Sequence, residues 1–376
     1  MTDRRLKAGI IPEFGLLLAC CAANFAGGLE RRVTIPATLD WDSFLRLARF
    51  HRVQGLAWKA LAASAQSLPP NVASLLAADA RTIAAVNLGI VAASAELQRA
   101  FAEAGERLLF VKGMAIAAIV YRSPMVKMSW DIDLLVDPAA VTSAGEILAR
   151  AGFRPVIPPM MDGLAAWHAR EKESVWAREA DGVHVELHTR LAENEALVPS
   201  LTVASPSQTV AIANDLTLTT LADTELFAYL AVHGASSAWF RLKWISDFAG
   251  FLHCRTGGEI RSLHESSQAL GAGRAPAQAL LLADRLFGSL ERAPELRSEL
   301  QTDHMVRLLC SASINQVTSK PVEPTEQVFG TLRIHWTQLL LKPGFKFKAA
   351  EFWRQTRKAL RRVDPHRFVR LRNNRC

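Results

Sequence analysis

The sequence predicts an α+β fold, a mixed α/β sheet module carried between flanking helical regions. Three observations carry it: residues 10 to about 105 read as helix throughout, short β-rich runs alternate with helical ones from Arg107, and helical periodicity returns near Asp223. With 376 residues, half of them hydrophobic, the chain is long enough to bury a substantial core. The expected organisation is a helical region over 1–105, an α/β core over 106–220, a second helical region over 221–341 and a basic, aromatic tail over 342–376.

The first helix follows from "PEFGLLLACCAANF", whose proline suits a first turn. The basic start "MTDRRLK" ahead of apolar residues imitates a signal peptide, but Pro12 and Glu13 interrupt the run, so an amphipathic helix is the better reading. In "WDSFLRLARFHRVQGLAWKALAAS" apolar residues recur at three- and four-residue spacing, with Asp40 or Asp42 placed to cap the start. "LPP" at 68–70 closes that helix, and "NVASLLAADARTIAAVNLGIVAASAELQRAFAEAG" continues as a long Ala-rich one to a terminating Gly105. No run of 18 or more uncharged apolar residues appears elsewhere, so no membrane-spanning helix is expected.

"RLLFV", "WDIDLLV" and "GVHVELH" are short and β-rich, whereas "GMAIAAIVY" and "PAAVTSAGEILARAG" between them have helical periodicity. "ESVWARE" and "DGVHVELHTRL" read as a hairpin joined around Ala180, Asp181 and Gly182. Helix resumes in "DTELFAYLAVHGASSAWFRLKWISDFAGFLHC" and "APAQALLLADRLFGSL". The five cysteines, Cys20, Cys21, Cys254, Cys310 and Cys376, form no CxxC pair and no even framework, which argues for reduced thiols in a cytoplasmic protein and against structural zinc.

The formal net charge is +8, and its distribution is uneven. Lys342 to Cys376 holds 12 Lys/Arg against Glu351 and Asp364, a net of +10, which leaves −2 for the rest. Phe345, Phe347, Phe352, Trp353 and Phe368 are interleaved with these cations. Such a tail suits an anionic partner, whether nucleic acid, a membrane face or an acidic protein, or else it docks its aromatics on the body while its cations stay solvated.

Chemistry concentrates in "SWDIDLLV". Residues two apart in a strand point the same way, so Asp131 and Asp133 project together while Ile132, Leu134 and Val136 face the core. Two adjacent carboxylates raise each other's pKa or require a cation between them, and a hard divalent metal with oxygen ligands meets that need. Asp40 and Asp42 in "LDWD" show that a bare DxD says little, since they precede a helical pattern and read as cap and first-turn residues. The difference is the apolar strand context and a third acid, Glu186, set between Val185 and Leu187 in a neighbouring strand. Upstream, "LLFVKGM" ends a strand at Lys112 and Gly113 just before a helix, a corner where backbone amides and a lysine receive phosphate.

"VKGMAIAAIVYRSPMVKMSWDIDLLVD", "VELHTRL" and "HGASSAWFRLKWISDFAGFL" together resemble the uncharacterised nucleotidyltransferase family of the DNA polymerase beta-type superfamily, over roughly residues 10 to 290. The resemblance implies a polymerase beta-like sheet module, a two-metal site for Mg²⁺ or Mn²⁺, an NTP substrate, and transfer of a nucleoside monophosphate with loss of pyrophosphate. It assigns Asp131 and Asp133 to the metal-binding pair, Glu186 to the third carboxylate and Gly113 to the phosphate-binding turn. Lys112, the Met114 amide, Lys127 and Ser129 complete the expected phosphate-facing group, while His188, Arg190, Lys243 and Asp247, with His233, are the expected contacts to nucleotide or acceptor.

The chain departs from the family's pattern at three points. Met114 stands where a Ser or Gly is usual, Lys127 where an Arg is common, and His188-Thr189 where "HW" is usual. His188 also reads as a structural hairpin residue, and Lys243 and Asp247 as an i,i+4 pair along a helix. The leading expectation is a metal-dependent nucleotidyltransferase whose acceptor, a small molecule, peptide, protein or RNA end, is open. The alternative is a catalytically weak binding module that holds an anionic partner through its tail.

Overall fold

The computed structural model describes residues 10–27, 33–64, 66–213, 215–319, 321–326 and 331–362. The part of the expected tail over 363–376 lies outside the described residues. The chain opens with α1 (Pro12–Ala22), α2 (Trp41–Phe50), α3 (Gln54–Ala62) and α4 (Pro70–Glu103). Pro12 occupies the first turn of α1, and Asp40 caps α2 by accepting from Ser43 N at 3.0 Å, with Asp42 following in the first turn. The continuous helix expected from Trp41 onward breaks at His51 to Val53. Arg52 takes a left-handed φ of 58° there, and buried His51 accepts from Leu242 N at 3.2 Å through Nδ1, a tertiary bond that local periodicity cannot reveal.

Helix α4 is, among the described residues, the one long and apolar enough to cross a membrane by length and composition. Arg81 and Glu96 bound its longest uncharged stretch, which is shorter than 18 residues, so the helix offers no clear membrane-spanning segment. In the structure α4 is a scaffold. Val72, Leu76, Ile83, Ile90, Leu97 and Phe101 are buried along it, and buried Asn87 donates from Nδ2 to Pro124 O and to Lys127 O, both at 2.7 Å.

The sheet module follows as β1 (Leu109–Phe110), α5 (Met114–Tyr121), β2 (Asp131–Leu135), α6 (Val141–Arg150), β3 (Arg154–Ile157), α7 (Leu164–His168), β4 (Glu173–Arg178) and β5 (Val183–His188). Its five strands lie in the order β1-β2-β5-β4-β3. The central pair β2 and β5 is parallel and the other pairs are antiparallel, so the sheet is mixed. Ile132 and Leu134 of β2, Val185 and Leu187 of β5 and Trp176 of β4 turn to one face, where they share a core with α4 and α6. Each such buried side chain contributes about 1.5–3 kcal/mol of apolar transfer. The opposite face carries Asp131, Asp133, Glu186 and His188.

A second hairpin, β6 (Ser207–Ala213) and β7 (Leu216–Leu221), was not anticipated. Its alternation is diluted by Ala and Thr, and Val210, Ile212, Leu216 and Leu218 gain their meaning only by joining the sheet's core cluster. After it come α8 (Asp223–Ser236), α9 (Leu242–Leu252), α10 (Gly257–Ala269), α11 (Ala275–Phe287), α12 (Pro294–Leu300), α13 (His304–Val317), α14 (Leu332–Leu339) and α15 (Phe345–Arg362). Gly234 lets the chain fold back between α8 and α9, since a Cβ there would meet the Trp239 ring at 2.4 Å. Phe14, Phe44 and Leu56 from the first helices share one core with Phe227, Phe248 and Leu280 from the later ones. The acid-bearing sheet face turns toward this helical body: Leu135, on that face, belongs to its core, and Lys127 pairs with Asp247 of α9.

Candidate active site

The parallel register of β2 and β5 sets Asp133 beside Glu186 and Leu135 beside His188. The antiparallel register of β4 and β5 adds Glu173 next to His188. One oxygen of Asp133, one of Glu186 and one ring nitrogen of His188 all lie within 4.8 Å of one another. Asp131 is on the same face two residues earlier, beside His184, and stays outside that group. The expected triad of carboxylates is not gathered as such: Asp133 and Glu186 come together with His188, and Asp131 stands at the edge of that group.

Lysine 112 enters the cluster from the end of β1. Its Nζ lies 2.7 Å from Asp133 Oδ1 and 3.8 Å from Glu186 Oε2. His188 Nε2 lies 3.2 Å from the same Asp133 Oδ1 and 3.6 Å from Glu186 Oε2, while its Nδ1 stands 3.3 Å from Glu173 Oε2. Glu173 in turn pairs with Lys172. The other carboxylate oxygen of Asp133, Oδ2, is buried with no hydrogen-bond partner. A buried carboxylate oxygen left bare costs several kcal/mol by general estimates, roughly 1–3 and more for charged groups. Asp133 thus keeps a carboxylate oxygen free of protein partners while it is grouped with Glu186 and His188, which fits a cation that supplies the missing contact.

Electrostatics follow from this crowding. Burial would raise the Asp133 carboxyl, but Lys112 and His188 outweigh it and hold the group below its usual range. Burial likewise opposes ionisation of Glu186, and the same two partners pull it down. For His188, burial and Lys172 disfavour the imidazolium, yet bonds to Asp133 and Glu186 and the charge of Glu173 leave it raised. Burial alone would lower Lys112, and Asp133, Tyr229, Glu186 and Asp131 drive it well above the ordinary lysine value. Proximal acids and bases therefore hold one another charged.

Other expected residues divide into two groups. Gly113 sits at φ +66° and ψ −119°, a conformation open to glycine, and so turns the chain from Lys112 into α5. Met114 opens α5 with its side chain buried, leaving only its backbone to the phosphate corner. Lys243 at the start of α9 feels Asp131, and burial, Lys127 and Arg52 pull it down to about 7. His233 of α8 is pushed well below its ordinary value by burial and Lys112.

Three expectations need correcting. Lys127 and Asp247 pair with each other at 3.2 Å, both buried, and Tyr121 donates to Asp247 Oδ1 at 2.9 Å. Two buried charges neutralise each other there, so Lys127 is not a free phosphate cation and Asp247 does not pair along α9 with Lys243. Ser129 is buried, with its amide 3.4 Å from Asn87 Oδ1, and serves the entry to β2. Arg190 does not share the face of Glu186, because β5 stops at His188; its guanidinium pairs with Glu195 and donates to Arg170 O at 3.2 Å.

Sequence reasoning missed Glu173, Lys172, Tyr229 and Asn87. Glu173 was visible as an acid opening the hairpin strand, but only the register with His188 gives it a place. A surface cavity lined by Glu96, Ala100, Glu103, Ile147 and Arg150 lies on the α4–α6 layer behind the sheet and touches none of Asp131, Asp133, Glu173 and Glu186.

No curated protein matches the chain. A family model described as an uncharacterised nucleotidyltransferase matches residues 37–288, a span that includes the whole sheet, the acid cluster and the helices facing it. On that match, over more than half its length, the chain belongs to the uncharacterised nucleotidyltransferase family.

Proposed function

We propose that the protein transfers a nucleoside monophosphate from an NTP to an acceptor hydroxyl or phosphate, with release of pyrophosphate, in a divalent-metal-dependent reaction. The observation that carries this reading is the grouping of Asp133, Glu186 and His188 with ligand atoms within 4.8 Å of one another, at a carboxylate whose Oδ2 is buried and bare. Two carboxylates suit Mg²⁺ and equally Mn²⁺. Asp133 and Glu186, with Asp131 at the edge, would hold the metal. When bound, the metal neutralises phosphate charge and lowers the pKa of the attacking hydroxyl.

The chain's own groups do the remaining work. His188 fixes the two carboxylates through Nε2, and Glu173 stands at its other nitrogen. Lys112, presently lodged against Asp133, and Lys243, pulled down to about 7, supply positive charge for a triphosphate. The glycine turn at Gly113 keeps the backbone open where Met114 starts α5. Glu186 is the group positioned to accept the acceptor's proton, being less buried than Asp133.

Incubation with each NTP and Mg²⁺ or Mn²⁺, followed by pyrophosphate measurement and mass spectrometry of small-molecule, peptide, protein and RNA acceptors, tests the reading. The expected result is one nucleoside monophosphate added and one pyrophosphate released, both lost in Asp133→Asn and in Glu186→Gln. Absence of nucleotide binding with either metal removes the proposal.

A further inference from the structure

The C-terminal helix α15 has two faces of different chemistry. One is fixed to the body: Phe347 and Glu351 are buried, Asn194 Nδ2 donates to Glu351 Oε2 at 2.7 Å, and Arg354 Nε donates to the same oxygen at 3.0 Å. Lys358 Nζ reaches Glu193 Oε1 at 3.0 Å. Positions 347, 351, 354 and 358 recur at three and four residues, so these contacts form one stripe.

The opposite stripe is apolar and faces solvent. Phe345, Ala349, Phe352, Trp353 and Leu360 follow the same helical spacing, and Phe345, Phe352, Trp353 and Leu360 are 84%, 63%, 55% and 69% exposed. Lys348 lies along one margin of that stripe and Lys346 and Arg357 along the other, all exposed. Leu332 and Trp336 of the adjoining α14 are exposed as well, and Gln355 Nε2 ties the two helices together by donating to His335 O at 2.9 Å. Between 345 and 362 the sequence has seven Lys/Arg and one acid, Glu351, which is spent on the body.

We propose that α15 is a preformed interfacial helix that lays its Phe345, Phe352, Trp353 and Leu360 stripe into the surface of an anionic lipid bilayer. A central apolar band with cations along both edges is the arrangement that inserts rings at the acyl boundary and holds lipid phosphates at its margins. A nucleic-acid surface calls for cations across the centre of the face, where this helix places its bulk hydrocarbon. The docked stripe keeps the helix folded beforehand, so no ordering cost is met on contact.

The test uses the full chain and sedimentation with vesicles of phosphatidylcholine alone or mixed with phosphatidylglycerol. Binding is expected with the mixed vesicles only, weakening as salt rises. The triple change Phe345→Ser/Phe352→Ser/Trp353→Ser lowers the partition by about tenfold or more. Lys346→Glu/Lys348→Glu/Arg357→Glu removes the preference for the anionic lipid. All these positions are exposed, and an unchanged thermal unfolding midpoint confirms that the variants fold. As a second measurement, brominated lipid quenches tryptophan emission in the wild type and less in Trp353→Phe. The proposal is overturned by no sedimentation with mixed vesicles, by equal sedimentation of the triple Ser variant, or by binding to duplex nucleic acid that excludes the vesicles and is lost in the same variants.

Discussion

Lys112 Nζ lies 2.7 Å from Asp133 Oδ1, so a lysine ammonium neutralises the most buried carboxylate of the site. Asp133 is thereby stable enough to stay ionised, and its second oxygen remains bare. A side chain lodged this way competes with any incoming cation and becomes available to phosphate once displaced. Replacing Lys112 by Met should therefore act oppositely on stability and on metal affinity. In chelator, unfolding free energy falls by about 3 kcal/mol, because a buried charge loses its partner. Added Mn²⁺ should restore much of that loss and bind more tightly than to the wild type, as read by calorimetry, while nucleotide affinity drops. Equal destabilisation with and without metal would contradict the arrangement.

Gly113 gives a second test. Its φ of +66° with ψ of −119° suits glycine, yet a Cβ there would meet nothing closer than Asp131 O at 3.8 Å. The cost of Gly113→Ala is thus conformational and not steric, of order 1–3 kcal/mol. Because the turn aims Lys112 at Asp133, nucleotide turnover should fall further than stability does. Denaturant unfolding and pyrophosphate release measured on the same preparation separate the two.

Asn87 holds the segment that delivers β2. Each proton of its Nδ2 has its own carbonyl, Pro124 O and Lys127 O, both at 2.7 Å. Asn87→Leu leaves those carbonyls buried without a donor, at about 1–3 kcal/mol for each group. We expect a lower unfolding midpoint and faster amide exchange over 125–130, with exchange in α6 unchanged.

A pH effect on stability comes from His51. Its ring is buried against Phe14 and Phe50, and burial together with Arg241 pulls it down to about 3. Nδ1 accepts from Leu242 N, so protonation there breaks a bond inside the core. The folded value lies below the unfolded one of about 6.5, so this group's stability is fully present above that pH and is lost progressively as pH falls toward 3. His51→Gln keeps an acceptor without the titration. Its unfolding midpoint should decline less steeply than the wild type's between neutral and acidic pH, and parallel profiles would count against His51 as the source.

What the sequence could show of this site depended on distance along the chain. Asp131, Asp133 and Gly113 were legible because a two-residue strand period and a strand–turn–helix junction are local signals, and Glu186 because it repeats the acid-between-apolars pattern. The role of His188 was only partly legible, since its three carboxylate neighbours come from β2, β4 and β5. Lys127 was misread: its cationic character is local, but its partner Asp247 lies 120 residues away in sequence and removes it from the phosphate corner. Arg190 failed for a similar reason, because β5 ends at His188 and the guanidinium is taken up by Glu195 and the Arg170 carbonyl, partners that the strand pattern does not reveal. In the fold, long helices such as α4 were clear, whereas the β6–β7 hairpin needed the rest of the core to define its buried face.

Lys243 supplies the last prediction, on the pH dependence of nucleotide binding. Burial, Lys127 and Arg52 pull its ammonium down to about 7, against the opposing pull of Asp131 and Asp247. Near neutrality it is therefore about half protonated, and a triphosphate arriving beside Asp131 would draw the proton back onto it. Above pH 7 that proton must be recovered from an increasingly basic solution, so nucleotide affinity should weaken toward a limit of about tenfold per pH unit. Arginine keeps its charge throughout this range. In Lys243→Arg the affinity measured by calorimetry should stay flat between pH 7 and 9, while Lys243→Met should be weak at both ends. A wild-type profile as flat as the arginine variant's would show that Lys243 lies outside the nucleotide's reach and that Lys112 alone meets the phosphates.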